Sequence, residues 1–141
     1  MAYANRQSGN ALLSPVADIM PFTPDIVTAL NQTAGTIPAN IITGGAQVTC
    51  ITTNATPGTQ TTRTAAQMFA EDPTAYIGAG YTLRIANSGA GTLTLAGGSG
   101  VTVTGTATVA TNTWRDFNVR YTGTEAAPTM TITNIGLGTY T

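Results

Sequence analysis

Between Tyr81 and Tyr121, apolar and polar residues alternate with a period of two. Side chains of a β-strand point alternately to its two faces, so this pattern predicts strands with one buried face and one solvent-facing face. We interpret the stretch as consecutive antiparallel strands in a meander or part of a sandwich. The positions predicted to form the core are Leu83, Ile85, Leu93, Leu95, Val101, Val103, Phe117 and Val119.

The breaks between these runs have the composition of tight turns. They are segments 87–91 (NSGAG) and 97–100 (GGSG) and the pair Thr111-Asn112, whose residues accept a positive φ or cap turns with their side chains. Upstream, Gly44-Gly45 is predicted to be the turn of a hairpin within residues 37–53. No repeat of fixed long period occurs, so a solenoid is not expected.

One short helix is predicted near residues 64–72. Thr64 and Gln67 have the spacing of a capping box, in which each side chain accepts a hydrogen bond from the other's backbone N–H, and Pro73 would stop the helix. Apolar side chains in its middle are expected to anchor it over a sheet edge or barrel end.

Residues 1–40 are interpreted as an extended N-terminal arm that precedes a β domain at residues 41–141. Four prolines interrupt the arm, and no alternation is sustained in it. Thr23 and Pro24 could cap and open a short helix that includes Ile26, Val27 and Leu30 and ends just before Gly35. The apolar residues of the arm either pack along their own domain or dock onto a neighbouring subunit; they are Leu12, Leu13, Val16, Ile19, Met20 and Phe22.

The composition describes an unusually uncharged surface. The chain has 141 residues, enough for a single domain with a core, yet only 8% are charged and the formal net charge is −1. So low a net charge gives little electrostatic repulsion between copies of the protein and protects the monomer only weakly against association. We therefore expect a partner to cover much of the surface. The five arginines are scattered, which argues against a nucleic-acid partner. Neither a signal peptide nor an apolar run of the ~18 residues that a membrane span needs is found, so membrane insertion is not expected.

Candidate chemistry is sparse. There is no histidine to act as a base, and Cys50, the only cysteine, lies in an apolar run and is interpreted as a small buried residue. No catalytic, metal-binding or cofactor-binding residue is predicted, and enzyme activity is not expected. A carboxylate pair for glycoside hydrolysis could come from Glu71 or Asp72 with Asp116, but nothing in their spacing favours it. Solvation at a helix end explains Glu71 and Asp72 more simply.

Trp114 falls on the opposite face of its strand from Phe117 and Val119. It is interpreted either as a residue that covers the end of a barrel or as an aromatic anchor in a subunit interface, where such residues dominate binding energy.

The segment TLRIANSGAGTLTLAGGSGVTVTGTATVATNTWRDFNVRYTG, preceded by TRTAAQMF and followed by TITNIGLGTYT, resembles capsid cement or head decoration proteins of short-tailed, Bordetella-phage-like bacteriophages. The resemblance covers roughly residues 60–141. It is most specific in the turn Asn-x-Gly-x-Gly-Thr-x-Thr-Leu and in the NTWRDF strand.

The resemblance implies an all-β, jelly-roll-like β-sandwich or barrel that assembles as a homodimer or homotrimer. It also implies a place on the outside of the icosahedral head, where such proteins clamp neighbouring major capsid proteins of a virion assembled in the bacterial cytoplasm. It supplies no catalytic residue.

Two other functions stay open. Similar strings occur in head-fibre and tail-associated proteins, and an adhesive module that binds carbohydrate would need a stacking platform formed by Trp114, Tyr76, Tyr81 or Tyr121; the 6% aromatic content argues against it. An ice-binding sheet is suggested by threonines at 102, 104, 106 and 108, although Gly105 and the changing turns interrupt that row.

Overall fold

The structure, a computed structural model, describes residues 26–30, 33–43, 47–52 and 55–139, with only the backbone described for 26–30 and 47–52. These residues form ten strands and one helix. In chain order they are β1 (Ile26–Leu30), β2 (Gly35–Thr36), β3 (Gln47–Thr52), β4 (Gly58–Thr61), α1 (Ala65–Glu71), β5 (Gly80–Asn87), β6 (Leu93–Ala96), β7 (Val101–Thr104), β8 (Thr108–Val109), β9 (Thr113–Tyr121) and β10 (Met130–Thr139).

The strands form two sheets, and the chain passes from one sheet to the other at almost every connection. The larger sheet has six strands in the order β1-β3-β5-β9-β10-β7, and the smaller has four in the order β2-β4-β6-β8. Both sheets contain parallel and antiparallel pairs, and the strands described here do not close into a barrel. The predicted all-β architecture with one short helix is confirmed at this level.

Parallel pairing dominates the first half of the fold. β1 pairs with β3 and β3 with β5 in the larger sheet, and β2 pairs with β4 and β4 with β6 in the smaller one, all in parallel. Within residues 81–121, where consecutive antiparallel strands are predicted, β5 pairs with β9 and β6 with β8 in antiparallel, but no two consecutive strands of this stretch are neighbours. A period of two identifies the buried face of a strand but not the strand beside it. Among the consecutive strands that the structure describes, only β9 and β10 are antiparallel neighbours in one sheet.

The parallel strands stack as successive turns of a winding chain. Ile26 pairs with Val48, whereas Gln47 pairs with Thr82, so the turns differ in length. This winding is confined to β1 through β6, since β8 pairs with β6 and β9 pairs with β5 in antiparallel. No period is visible along the chain because α1 and its flanking loops lie within one turn, between β4 and β5.

The predicted arm is too long at its C-terminal end. β1 and β2 are strands of the two sheets, so the sheets begin at Ile26 rather than at residue 41. The helix predicted to open at Pro24 is wrong, because Ile26–Leu30 is a strand. The β-branched Ile26 and Val27 favour extended backbone, and pairing with β3 outweighs the local capping signals.

The predicted hairpin within residues 37–53 is also wrong. β2 and β3 lie in different sheets, and residues 37–43 contain no strand, with turns and bends at 39–43. The Gly44-Gly45 pair proposed as its turn lies outside the described residues.

Both sheets and the helix contribute to one core. As predicted, Leu83, Ile85, Leu93, Leu95, Val101, Phe117 and Val119 are buried, and Val103 is partly buried against them. The predicted helix is confirmed: Thr64 Oγ1 accepts from the Gln67 N–H at 3.2 Å, and Gln67 Oε1 accepts from the Thr64 N–H at 3.1 Å. Met68 and Phe69 bury their side chains in this core.

Asn87 fixes the corner at which the chain leaves the larger sheet for the smaller one. It is fully buried, and its Nδ2 donates to the carbonyl oxygens of Gly91 at 2.7 Å and Val109 at 2.9 Å, while its Oδ1 accepts from the Gly89 N–H at 2.9 Å. Gly91 packs directly on an earlier turn of the chain, since an added Cβ would lie 2.1 Å from the carbonyl carbon of Thr56. Only glycine fits there.

Candidate functional site

The outer face of the larger sheet carries three interacting side chains, Arg84 on β5 and Trp114 and Asp116 on β9, which we call the outer cluster. The Arg84 guanidinium donates to both Asp116 carboxylate oxygens, at 2.7 Å from Nε and 2.8 Å from Nη2. Its Cζ lies 3.8 Å from the centroid of the Trp114 ring. The hydrogen bonds to Asp116 raise the pKa of Arg84. The cation is therefore both ion-paired and stacked.

Gly138 on β10 makes room for the indole. It is the register partner of Trp114, and a Cβ added to it would lie 2.1 Å from Cζ2, 2.3 Å from Cε2 and 2.8 Å from Nε1 of the ring. These distances place the glycine against a face of the indole rather than beyond its edge. Arg84 and Gly138 belong to strands on opposite sides of β9, so the indole is enclosed between them.

Trp114 lies on the face that the alternation predicts, opposite Phe117 and Val119, but it does not cover the end of a barrel. It is partly buried in the sheet surface. Its interpretation as an interface anchor stays a prediction. Sequence reasoning missed Arg84, because its contact with Asp116 depends on the register of two strands that are distant along the chain.

Threonines line the outer face beside this cluster. Thr102 and Thr104 on β7 are the register partners of Thr131 and Thr133 on β10, and the Thr104 hydroxyl donates to that of Thr133 at 2.9 Å. The row suggested for ice binding is divided, because Thr108 lies on β8 of the smaller sheet. The outer face thus offers hydroxyl groups, an ion pair that neutralises itself, and, farther along β9, the exposed Arg120, whose Nη1 donates to the Gly78 carbonyl oxygen at 2.8 Å.

A second polar cluster joins α1 to the segment before β3. Glu71 forms an ion pair with Arg63, and its Oε1 accepts from the Thr43 hydroxyl at 2.7 Å and the Asn40 N–H at 3.2 Å. The expectation of a solvated carboxylate at a helix end is wrong for Glu71. Instead, Glu71 holds residues 40–43 against the helix.

Asp72, which follows α1, is hydrogen-bonded to β9. Tyr121 Oη donates to its Oδ2 at 2.7 Å, and the N–H and hydroxyl of Thr74 donate to its Oδ1 at 2.8 and 2.6 Å. Burial acts to raise the pKa of Asp72, but these hydrogen bonds outweigh it and the net pKa is lowered. Burial raises the pKa of both Tyr81 and Tyr121; the nearby Asp72 charge adds to the rise for Tyr81, and the hydrogen bond to Asp72 adds to it for Tyr121. Asp72 is therefore also not a simply solvated helix end.

The residues considered for catalysis and for sugar stacking are not brought together. Asp116 lies on the outer face of β9, whereas Asp72 bonds Tyr121, which belongs to the core. Of the candidate rings, Trp114 lies on the outer face, Tyr121 is buried, and Tyr76 is 66% exposed in the loop between α1 and β5. These positions form neither a carboxylate cleft nor a shared aromatic platform.

The apolar arm residues predicted to dock, from Leu12 to Phe22, lie outside the described residues. Within the part of the chain that the structure covers, no group of three histidine, cysteine or acidic side chains could hold a metal ion. The described helix is too short to cross a membrane.

Comparison with known proteins identifies no relative. No family model matches the chain, and neither a curated protein nor a solved structure matches it. Function therefore has to be inferred from the sequence and from the geometry of the surface.

Acid is expected to weaken the fold in part through Asp72. Because the pKa of Asp72 is lowered in the folded state, the stability it contributes is present above its unfolded pKa of about 3.9 and is lost as the pH falls through the folded value. Denaturant unfolding measured between about pH 6 and pH 2 should show this loss. Asp72→Asn should reduce it, and Tyr121→Phe, which keeps the ring, should reduce it less. An unchanged pH dependence in Asp72→Asn would contradict the assignment.

Proposed function

We propose that this protein is a structural protein of a phage virion, a cement or decoration protein that binds the outside of an icosahedral head and clamps neighbouring major capsid proteins. The resemblance of residues 60–141 supports this class. The observation that carries the proposal is the outer cluster, an aromatic anchor set in a threonine-lined face of low charge.

The chemistry of this face suits contact with another protein. Arg84 and Asp116 already neutralise each other, so a partner that covers them buries no unpaired charge. An unpaired buried charge would strongly destabilise an interface. Trp114 is a large aromatic held in one orientation, which lowers the entropy lost on binding. The surrounding hydroxyls both donate and accept hydrogen bonds. The outer cluster and the threonines beside it can therefore be covered with little desolvation penalty.

The jelly-roll arrangement is not needed for this proposal. A jelly roll consists of antiparallel strands, whereas β1, β3 and β5 pair in parallel. Support comes from the two-sheet β architecture and from the outer face, which a different strand order can present equally well.

The arm has the length to reach a second subunit. Residues 1–25 precede β1, an edge strand of the larger sheet, and a chain of that length spans at most roughly 80 Å when extended. Each apolar side chain that is fully buried contributes about 1.5 to 3 kcal/mol. We expect the docking side chains to be Leu12, Leu13, Val16, Ile19, Met20 and Phe22.

The test is binding to purified phage heads that lack the protein. The variants are a deletion of residues 1–22 and Trp114→Ala, each confirmed by circular dichroism to remain folded. We expect each to weaken binding at least about tenfold, and Tyr76→Ala, an exposed aromatic away from the outer cluster, to bind as the wild type does. Because few charges take part, binding should change little between low and high salt.

Full binding by both variants would refute the proposed contact surfaces. Failure of the wild-type protein to bind any such head would refute the proposed function itself. Strong weakening by salt would show that ion pairs rather than apolar contacts hold the complex.

A further inference from the structure

The end of β10 forms an exposed strand edge. β7 pairs with β10 only from Met130 to Thr133, whereas β9 pairs with it as far as Thr139. Residues 135–139, which we call the β10 edge, therefore have a neighbouring strand on the β9 side and, among the described residues, none on the other side.

A β-bulge interrupts the alternation along this edge and is followed by Leu137, which lies opposite Arg115 on the same face of β9 as Phe117. The register with β9 shifts between Asn134 and Gly136, which leaves Ile135 without a register partner on β9. The Asn134 amide fixes the bulge by donating to the carbonyl oxygens of Asp116 at 3.3 Å and Gly136 at 3.0 Å. Ile135 in the bulge and Leu137 beyond it are each 56% exposed, although the apolar residues of β10 before the bulge are buried.

The β10 edge lacks the usual protection against pairing. Its sequence, IGLGT, contains no charged residue and no proline. Natural sheets generally protect exposed edges with lysine, proline or a covering segment, because unpaired backbone groups beside apolar side chains accept another strand. The edge is therefore suited to strand addition.

Charge favours a second copy of the chain as the occupant. Arg115, the register partner of Leu137, is already held by the Thr108 carbonyl at 2.5 Å and by Asn134 Oδ1 at 3.2 Å. A charged segment would find no free counter-charge on the edge, whereas a second copy brings an uncharged apolar strand. In antiparallel pairing about a two-fold axis, each edge would meet its own counterpart.

We propose that two copies of this protein pair through the β10 edge, antiparallel across a two-fold axis, so that their larger sheets join into one continuous sheet. Ile135 and Leu137 supply the apolar side-chain contacts, and the backbone supplies the hydrogen bonds. This pairing is independent of binding to a phage head.

Sedimentation velocity over a series of protein concentrations tests the proposal. We expect the wild type to form a dimer and Leu137→Lys to raise its dissociation constant at least about tenfold, because the substitution places like charges near the axis. Ile77→Lys is the matched control: it replaces a side chain that is 60% exposed in the loop before β5 and should leave the dimer intact. Circular dichroism verifies that all three proteins are folded.

Cysteine cross-linking tests the geometry and gives the register. Opposed residues in an antiparallel pair have Cα atoms about 4.5 to 5.5 Å apart, within the range of a disulfide. Cysteines placed singly at 135, 137 and 139 in a Cys50→Ser background, oxidised alone and in pairwise mixtures, should give a covalent dimer in at least one combination. A monomer at every concentration, a dimer unaffected by Leu137→Lys, or no cross-link in any combination would overturn the proposal.

Discussion

Replacing Asn87 with aspartate is expected to destabilise the protein by at least about 3 to 5 kcal/mol at neutral pH. The Asn87 amide nitrogen lies 2.7 Å from the Gly91 carbonyl oxygen and 2.9 Å from that of Val109, and the residue is fully buried. Aspartate would put a carboxylate oxygen where two acceptors require a donor. The variant would therefore combine a buried charge with two broken hydrogen bonds.

The dependence on pH separates this explanation from a general loss of packing. The new carboxyl group should have a raised pKa, because burial disfavours its charged form, so the variant should regain stability as the pH falls from about 7 to about 5. Wild type should not gain stability in this way. Urea unfolding at several pH values measures the difference, and Asn112→Asp, in an exposed turn, should change stability by less than about 0.5 kcal/mol.

Should the aspartate variant not fold at all, Asn87→Ala provides the measurement. It removes the side chain without adding charge and should cost about 1 to 3 kcal/mol for each buried group left without a partner. A loss below about 1 kcal/mol in both variants would show that this corner is not held by the Asn87 amide.

The buried face of most strands could be predicted from the alternation, but the strand pairing could not. Leu83 and Phe117 are buried as expected because a period of two needs only local information. The parallel pairing of β3 with β5 joins residues separated by β4, α1 and the segments that connect them, and no local pattern encodes it. The same limit explains why Ile26 belongs to a strand although Thr23 and Pro24 suggest a helix.

The outer cluster was predictable only in part. The alternation places Trp114 and Asp116 on the same outward face, but Arg84 joins them through the register of β5 with β9. The bulge in β10 did leave a signal in the sequence. Ile132 and Ile135 are three residues apart, so a regular strand would point their side chains to opposite faces, and only one of the two could be buried. The exposed β10 edge could therefore have been suspected from the chain alone.

Shortening Leu95 to alanine is expected to destabilise the protein by about 2 to 5 kcal/mol. Leu95 lies on β6 in the smaller sheet, is only 2% exposed, and belongs to the core that the two sheets share. Its backbone N–H bonds the Ala107 carbonyl at 2.9 Å, a contact that the substitution leaves in place. The loss should therefore report the removed side-chain packing and the cavity left behind.

Leu137→Ala is the matched control, because it makes the same chemical change at a leucine that is 56% exposed. It should alter stability by less than about 0.5 kcal/mol when unfolding is measured at concentrations where the protein is monomeric. Denaturant unfolding should show a lower midpoint for Leu95→Ala with an unchanged slope, since the surface exposed on unfolding stays nearly the same. Equal effects at the two leucines would mean that β6 does not present Leu95 to the core, and that the smaller sheet packs on the larger one through its other face.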